Sequence, residues 1–208
     1  MKLIDPSVEI ITPLNGKEIL QHIELAIRNC YKSEDKTTDD SYLRLVKTIL
    51  DSHHYSTIEH FNITFRVICS RACMAQWTRH RHMSFSIESQ RYINYSKDKF
   101  GAGITYIKPR EFDSWDTFQQ SMYTDGLEDN EHRYMQLIIA GLKAQESRGI
   151  LANDTKTEMV VTANLRTLRE FLKLRTSKSA QAEIRYLAAQ LLEQLKAEIP
   201  VIFDNLED

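Results

Sequence analysis

The chain contains too little cysteine for a disulfide framework. Its three cysteines, Cys30, Cys69 and Cys73, are an odd number without a Cys-x-x-Cys pair, which also argues against a zinc ribbon. The apolar patterns predict that Cys30 and Cys69 face the core, while Cys73 follows no clear pattern. We therefore expect thiols that pack as small hydrophobic side chains.

Long apolar runs and a large excess of charge are also absent. Residues 1–13 carry Lys2, Asp5 and Glu9, so we expect no signal peptide, no membrane span and a cytoplasmic protein. The formal net charge is -2, which provides no general attraction for nucleic acid. Neither G-x-G-x-x-G nor G-x-x-x-x-G-K-[ST] occurs, so side chains and helix ends would have to hold any phosphate.

A metal site is weakly suggested by His53, His54 and His60, which fall within eight residues. No cysteine or carboxylate cluster nearby completes a tetrahedral ligand set. We therefore predict no metal.

The apolar spacing predicts several helices. They are Gly16–Tyr31, a helix capped by Asp39 or Asp40 with Leu43, Val46, Ile49 and Leu50 on its apolar side, Arg71–Arg79, and Ser179–Ile199. A long helical region after Pro109 is expected to break at Asp125-Gly126. Capping boxes are predicted at Ser56–Glu59 and at Thr167–Glu170, the second opening a helix that runs to Arg175.

Alternation of apolar and polar residues predicts strands between these helices. The clearest strand is Phe61–Cys69, and extended segments are expected over Gln90–Tyr95, Gly103–Ile107 and Met159–Ala163. No repeat or linker divides the chain. The sequence therefore predicts one mixed α+β domain over residues 1–208, with a small antiparallel-rich sheet flanked by helices and long helices in the C-terminal half.

Arginine, histidine and glutamine are most concentrated in residues 76–92, which read Gln-Trp-Thr-Arg-His-Arg-His-Met-Ser-Phe-Ser-Ile-Glu-Ser-Gln-Arg-Tyr. Crowded guanidinium groups repel each other and lose water on burial unless they face an anion. Arginine binds phosphate through its planar fork and stacks on flat rings. This stretch therefore predicts a phosphate or an electron-rich ring as its partner.

One alternative is a module that binds single-stranded nucleic acid. Arginines alternate with aromatic residues here, as a stacking groove requires: Arg66, Arg71, Arg79, Arg81 and Arg91 with Trp77, Phe85, Tyr92 and Tyr95. The acidic net charge and the compactness of the patch argue against this alternative.

The order of the motifs resembles that of the flavin-dependent thymidylate synthases. Arg79-His80-Arg81, seven residues and then Ser89-x-Arg91-Tyr92 is similar to their signature. The resemblance extends to His54-x-Ser56-x-x-Glu59-His60, to Gln76-Trp77, and to Asn164-x-Arg166-x-Leu168-x-x-Phe171-Leu172-x-Leu174-Arg175. It spans roughly Ile19 to Leu195, whereas residues 107–147 resemble nothing beyond helices.

The resemblance implies a particular reaction. Members of that family convert dUMP to dTMP with methylene-tetrahydrofolate as carbon donor, FAD as hydride source and NADPH as reductant. They work as homotetramers whose active sites are shared between subunits. Fixed positive groups beside the pyrimidine edge of reduced, anionic flavin would stabilise it.

The resemblance also assigns residues. Matching positions imply FAD contacts at His54, Ser56, Glu59, Arg79, His80, Arg81, Asn164 and Arg166. They imply dUMP contacts at Gln76, Arg79, Ser89, Gln90, Arg91, Arg148 and Arg175. Arg175 and Ser89 are the catalytic positions, with Arg175 favouring loss of the uracil ring proton.

A protein nucleophile is not expected. Ser89 has no adjacent base assigned by spacing, so we interpret it as a hydroxyl or N–H that binds the nucleotide. Three positions depart from the family pattern, namely Ile87, Glu170 and Ser179. They leave open a second alternative, a flavin-binding homologue that lacks synthase activity.

Overall fold

The structure is a computed structural model that describes residues 1–97, 99 and 101–206. It confirms the α+β class. The strands are β1 (Lys2–Ile4), β2 (Ser7–Ile10), β3 (Asn62–Ser70), β4 (Ser84–Ile87), β5 (Thr105–Ile107) and β6 (Lys156–Asn164). The α-helices are α1 (Gly16–Tyr31), α2 (Ser41–Asp51), α3 (Arg71–Trp77), α4 (Thr117–Ile139), α5 (Ala144–Ser147), α6 (Leu165–Arg175), α7 (Ala182–Glu198) and α8 (Pro200–Phe203).

The strands form two sheets. The larger has the strand order β2-β3-β6-β4, and β1 pairs with β5 in parallel, with Leu3 opposite Tyr106. In β3 the side chains of Ile63, Phe65, Val67 and Cys69 are fully buried, which confirms the predicted alternation.

The chain divides into two compact units by its internal contacts. The first unit contains Met1–Ser7, Val67–Arg79 and Ser86–Met159, and the second contains Val8–Arg66, His80–Phe85 and the chain from Val160 onward. Within the described residues, no helix is long and apolar enough to cross a membrane.

The second unit packs α1, α2, α6 and α7 around an aliphatic core. Helix α1 has the predicted bounds, buries Ile23 and Ile27, and is capped by Asn15, whose side chain accepts from the Glu18 N–H. Gly16 permits a close approach, because a Cβ there would collide with the Glu198 carbonyl oxygen. The C-terminal helix buries its predicted apolar face, which comprises Ile184, Leu187, Leu191, Leu195 and, just beyond α7, Ile199.

The first unit has a separate core rich in tyrosine. Tyr95, Ile104, Tyr106, Leu127 and Tyr134 are buried together. The Tyr95 N–H donates to the Tyr134 hydroxyl at 3.4 Å, and the Tyr106 hydroxyl donates to the Leu127 carbonyl at 3.2 Å. Burial is the main cause that raises the pKa of all three phenols.

Three predictions about helices are wrong. Helix α4 continues through Gly126 instead of breaking there, because burial of Leu127 and Tyr134 offsets the weak helix preference of glycine. Cys30 is exposed, because the last turn of α1 extends beyond the core. Leu43 is likewise 45% exposed.

Both predicted capping boxes are also wrong. Ser56 lies inside a 3-10 helix (Tyr55–His60) that begins one residue earlier. Helix α6 starts at Leu165, because Asn164 caps it by accepting from the Thr167 N–H at 2.8 Å. The expected cap at Thr167 therefore falls within the first turn.

The region after the arginine–histidine motif differs from the prediction as well. Residues 90–95 form turns instead of an extended segment, since the Ser89 carbonyl accepts the N–H groups of both Tyr92 and Ile93 at 3.1 Å. The extended segment lies earlier, in β4. The short helix α3 ends at Trp77, so the motif follows a helix as expected.

Candidate active site

A polar cavity of about 450 Å³ lies in the second unit. Its walls come from the 3-10 helix at Tyr55–His60, the segment before β4, and the N-terminal half of α6. The lining residues are Glu59, His80, Arg81, His82, Asn164, Arg166, Thr167 and Glu170. Five of these eight were predicted as FAD contacts, and they come from three distant parts of the sequence.

The first turn of α6 makes one wall of this cavity suited to an anion. Asn164 ends β6 and caps the helix, so the positive end of the helix dipole faces the same side as Arg166. An Arg166 Nη donates to a Glu59 carboxylate oxygen at 2.6 Å. Both side chains are nearly half exposed, at 48% and 42%, so water screens this ion pair and a ligand phosphate can compete for the guanidinium.

A second pair lies beside the cavity. Arg175, at the C-terminal end of α6, donates from Nε to His80 Nε2 at 3.0 Å. The ring of Phe171 packs edge-on against the His80 imidazole, with centroids 4.9 Å apart and an interplanar angle of 81°. Burial lowers the pKa of His80, and the neighbouring Arg175 charge lowers it further. The hydrogen bond from Arg175 needs a free lone pair on Nε2, so the imidazole that makes it is the neutral form with its proton on Nδ1.

Three predicted FAD residues, His54, Ser56 and Arg79, do not line this cavity. Arg79 is exposed and belongs to the first unit. His54 and Ser56 lie at the start of the 3-10 helix that carries Glu59, and both are exposed. Three lining residues were not predicted as FAD contacts. His82 and Thr167 each lie close in sequence to a predicted contact, and the pattern at Glu170 had indicated a helix cap.

The predicted dUMP residues other than Arg175 all belong to the first unit. Gln76 lies in the last turn of α3 and its carbonyl accepts the Arg79 N–H at 3.3 Å, so both lie in one turn. The Arg91 guanidinium lies over the exposed Tyr92 ring, 5.6 Å from its centroid. Arg148 is exposed and begins a short 3-10 helix (Arg148–Ile150) after α5.

The segment that carries Ser89, Gln90 and Arg91 is anchored through Glu88. The Glu88 carboxylate pairs with Lys156 at 2.6 Å and accepts the Tyr95 hydroxyl at 3.1 Å. Such an anchor restricts the backbone next to Ser89. Glu88, Tyr95 and Lys156 line a cavity of about 350 Å³ in the first unit, together with residues that include Lys2 and Lys99. None of the predicted dUMP contacts lines it.

Known proteins match almost the whole chain. Residues 14–201 match the family described as thymidylate synthase complementing protein. Proteins named flavin-dependent thymidylate synthase from Mycobacterium tuberculosis (strain ATCC 25618 / H37Rv) and Mycobacterium marinum are each 33% identical, over 99% of this chain and 86% of theirs. A solved structure of a UMP/dUMP methylase PolB from Streptomyces cacaoi, bound with 5-Br dUMP, has a TM-score of 0.80 at 25% identity and covers 98% of this chain and 96% of that one.

These matches define the chain as an enzyme of the methyltransferase class. It belongs to the family of flavin-dependent thymidylate synthases, as its motifs predicted. Membership implies FAD and a folate co-substrate.

The residues of the polar cavity fit a flavin nucleotide. Arg81, Arg166 and the N-terminus of α6 offer positive charge and N–H donors to phosphate oxygens. The half-buried His80 has an Nδ1 proton to donate.

Proposed function

We propose that the protein methylates dUMP to dTMP. The one-carbon unit of methylene-tetrahydrofolate forms a bond to uracil C5 while its bond to folate nitrogen breaks and the C5 proton leaves. Bound FAD, when reduced, supplies the hydride that completes the methyl group, and NADPH restores the reduced cofactor. Because the folate gives up no hydride in this balance, it leaves as tetrahydrofolate.

The polar cavity of the second unit is the main support for this proposal. Arg81 and Arg166 provide the charge that a dinucleotide phosphate needs, and His80 provides a neutral donor of modest bulk. We assign FAD binding to His54, Ser56, Glu59, Arg79, His80, Arg81, Asn164 and Arg166. His54, Ser56 and Arg79 are supported by the family motif alone.

Two observations support the nucleotide contacts. Most of the assigned residues are arginines, and Glu88 anchors the segment around Ser89 through Lys156 and Tyr95. A dianionic phosphate binds best to arginine forks and backbone N–H groups. We assign dUMP binding to Gln76, Arg79, Ser89, Gln90, Arg91, Arg148 and Arg175. The Arg175 cation lowers the cost of removing the uracil ring proton, which makes the ring a better acceptor.

We further propose that no protein nucleophile attacks the uracil. Cys69 and Cys73 are fully buried, and Cys30 lies on the exposed last turn of α1. A cysteine becomes a nucleophile when its thiol is partly exposed beside a positive charge, which favours the thiolate. Neither the buried nor the exposed environment found here meets that condition. Ser89 acts as a binding group.

The remaining assignments follow the family. We propose that residues 1–208 act as a single synthase domain, that four copies assemble with active sites shared between subunits, and that the enzyme works in the cytoplasm. Sedimentation and subunit-mixing experiments with complementary inactive variants test the assembly.

The reaction is tested with purified protein, FAD, NADPH, dUMP and methylene-tetrahydrofolate. We expect dTMP and tetrahydrofolate in equal amounts, and no dTMP when any one component is omitted. UMP is run in parallel, because the similar solved methylase is named for both UMP and dUMP. Dihydrofolate as the product would contradict the proposal, because the hydride would then have come from the folate.

A matched pair of variants links the reaction to the cavity. Arg166→Gln should weaken FAD binding about tenfold or more, the effect of losing one charged hydrogen bond. Arg133→Gln is the control, since Arg133 also pairs with a carboxylate, Asp129 at 2.9 Å, but on the exposed surface of α4. Equal losses of FAD affinity in both variants would refute the assignment.

Two outcomes would favour the alternative functions. FAD binding without formation of dTMP would favour the flavin-binding homologue that lacks synthase activity. A colourless protein that binds single-stranded nucleic acid would favour the nucleic-acid-binding module.

A further inference from the structure

The His80–Arg175 pair joins two groups that the family motif assigns to different ligands. Arg175 Nε donates to His80 Nε2 at 3.0 Å, and Phe171 fixes the plane of the imidazole from the side. A guanidinium on a flexible side chain loses fewer conformations on binding when a neighbour already orients it. The imidazole is that neighbour here.

We propose that His80 is a positioning residue for Arg175, and that it orients the guanidinium toward the pyrimidine only while the imidazole is neutral. This inference rests on the proposed function. It adds a proton-dependent role for His80 that is distinct from contact with the flavin.

The hydrogen bond itself requires the neutral form. Nε2 can accept from Arg175 only with a free lone pair, which places the single ring proton on Nδ1. Protonation would put a second N–H opposite the guanidinium N–H and bring two positive charges within hydrogen-bond distance. The contact would then break, and Arg175 would lose the constraint that the imidazole provides.

The surrounding charges favour the neutral form on balance. Positive groups near His80 comprise Arg175 on α6, Arg166 on the same helix, and Arg79 and Arg81 in its own segment, which also carries the titratable His82. The carboxylates lining the cavity are Glu59 and Glu170, and Glu59 is paired with Arg166. Burial followed by the charge of Arg175 lowers the pKa of His80 below its usual 6.5.

The first test uses cofactor-free protein and needs no activity. Nitrogen-15 NMR of the imidazoles should show His80 as the Nδ1–H tautomer at neutral pH, assigned by its absence in His80→Gln among the seven histidines. Its pKa should lie below 6.5 and should rise toward that value in Arg175→Gln. A His80 that titrates at or above 6.5 regardless of Arg175 would overturn the inference.

The second test separates positioning from flavin contact. At saturating FAD, His80→Phe keeps the ring packing but removes the acceptor, so kcat should fall about 10- to 100-fold, the effect of losing a hydrogen bond to a charged group. His80→Gln offers a side-chain oxygen near the Nε2 position, so its kcat should be close to that of the unchanged protein. In the unchanged protein kcat should fall at acid pH as His80 is protonated, and in His80→Gln that fall should disappear. Equal losses in both variants would refute the positioning role.

A double variant completes the design. If His80 acts through Arg175, then His80→Phe should add little further loss to Arg175→Gln. Additive losses would show that His80 works independently and would overturn the proposal. A protein that makes no dTMP in any form, yet shows the coupled titration by NMR, would preserve the pair while refuting the proposed function.

Discussion

Asn164 caps helix α6, and we propose that the same side chain also contacts FAD. Its Oδ1 accepts the Thr167 N–H at 2.8 Å, and the same residue lines the polar cavity. Asn164→Ala removes the cap and should lower the free energy of unfolding by about 1 kcal/mol. For a chain of this length that corresponds to a fall of about 2–4 °C in Tm.

Asn164→Asp separates the two roles. Aspartate caps helices as well as asparagine and interacts favourably with the helix dipole, so Tm should stay the same or rise slightly. The new carboxylate faces the same cavity as Arg166, where it repels phosphate and competes for the guanidinium. FAD affinity should therefore fall about tenfold, close to the effect of one charged hydrogen bond.

Asp116→Ala is the matched control. Asp116 caps α4 by accepting the Gln119 N–H at 2.8 Å, the same distance as at Asn164, but it lies in the first unit and does not line the polar cavity. Its loss should lower Tm by a similar amount without weakening FAD.

The assay measures two quantities on each protein. Circular dichroism on FAD-free protein gives Tm, and quenching of flavin fluorescence gives Kd for FAD. We expect Asn164→Asp to weaken FAD binding without lowering Tm. We expect Asp116→Ala to lower Tm without weakening FAD binding. The reasoning is refuted if FAD affinity simply follows Tm across the three variants, or if Asn164→Asp binds FAD as tightly as the unchanged chain.

Three further outcomes test the fold. Gly126→Ala should raise the free energy of unfolding by about 1 kcal/mol in urea titrations, because Gly126 lies inside α4 with open space around its Cβ position. A thiol reagent applied to folded protein should modify Cys30 alone by mass spectrometry and leave dTMP formation intact. The pKa values of Tyr95, Tyr106 and Tyr134 are raised in the folded state, so these phenols ionise more readily in the unfolded chain. The free energy of unfolding should therefore be unaffected by them below pH 10.0 and should fall above it. Urea titrations at several alkaline pH values check this, and a free energy of unfolding that does not change with pH would contradict it.

Local patterns predicted much of the fold. The bounds of α1 and the alternation in β3 were correct, because each element buries one continuous apolar face that its own sequence displays. Patterns failed where burial depended on distant partners. Cys30 continues the apolar spacing of α1 but lies beyond the core, and Gly126 is kept helical by neighbours packed around α4.

The candidate site shows the same division. The order of the motifs along the chain, through the family resemblance, named Glu59, His80 and Arg166 as contacts of one ligand, and all three line one cavity. Glu170 was misinterpreted, because the Thr167 pattern resembles a cap and only the observed start of α6 reveals that Asn164 holds that position.

By itself, the sequence determined which cationic and aromatic side chains the protein contains and where strongly periodic elements such as α1 and β3 lie, because composition and short-range spacing are local properties. Only the tertiary structure decided which of those side chains meet. Arg175 and His80 lie 95 residues apart in the chain, yet a single hydrogen bond joins them and requires the imidazole to be neutral. Such a contact depends on the packing of α6 against a distant loop, which no local pattern encodes.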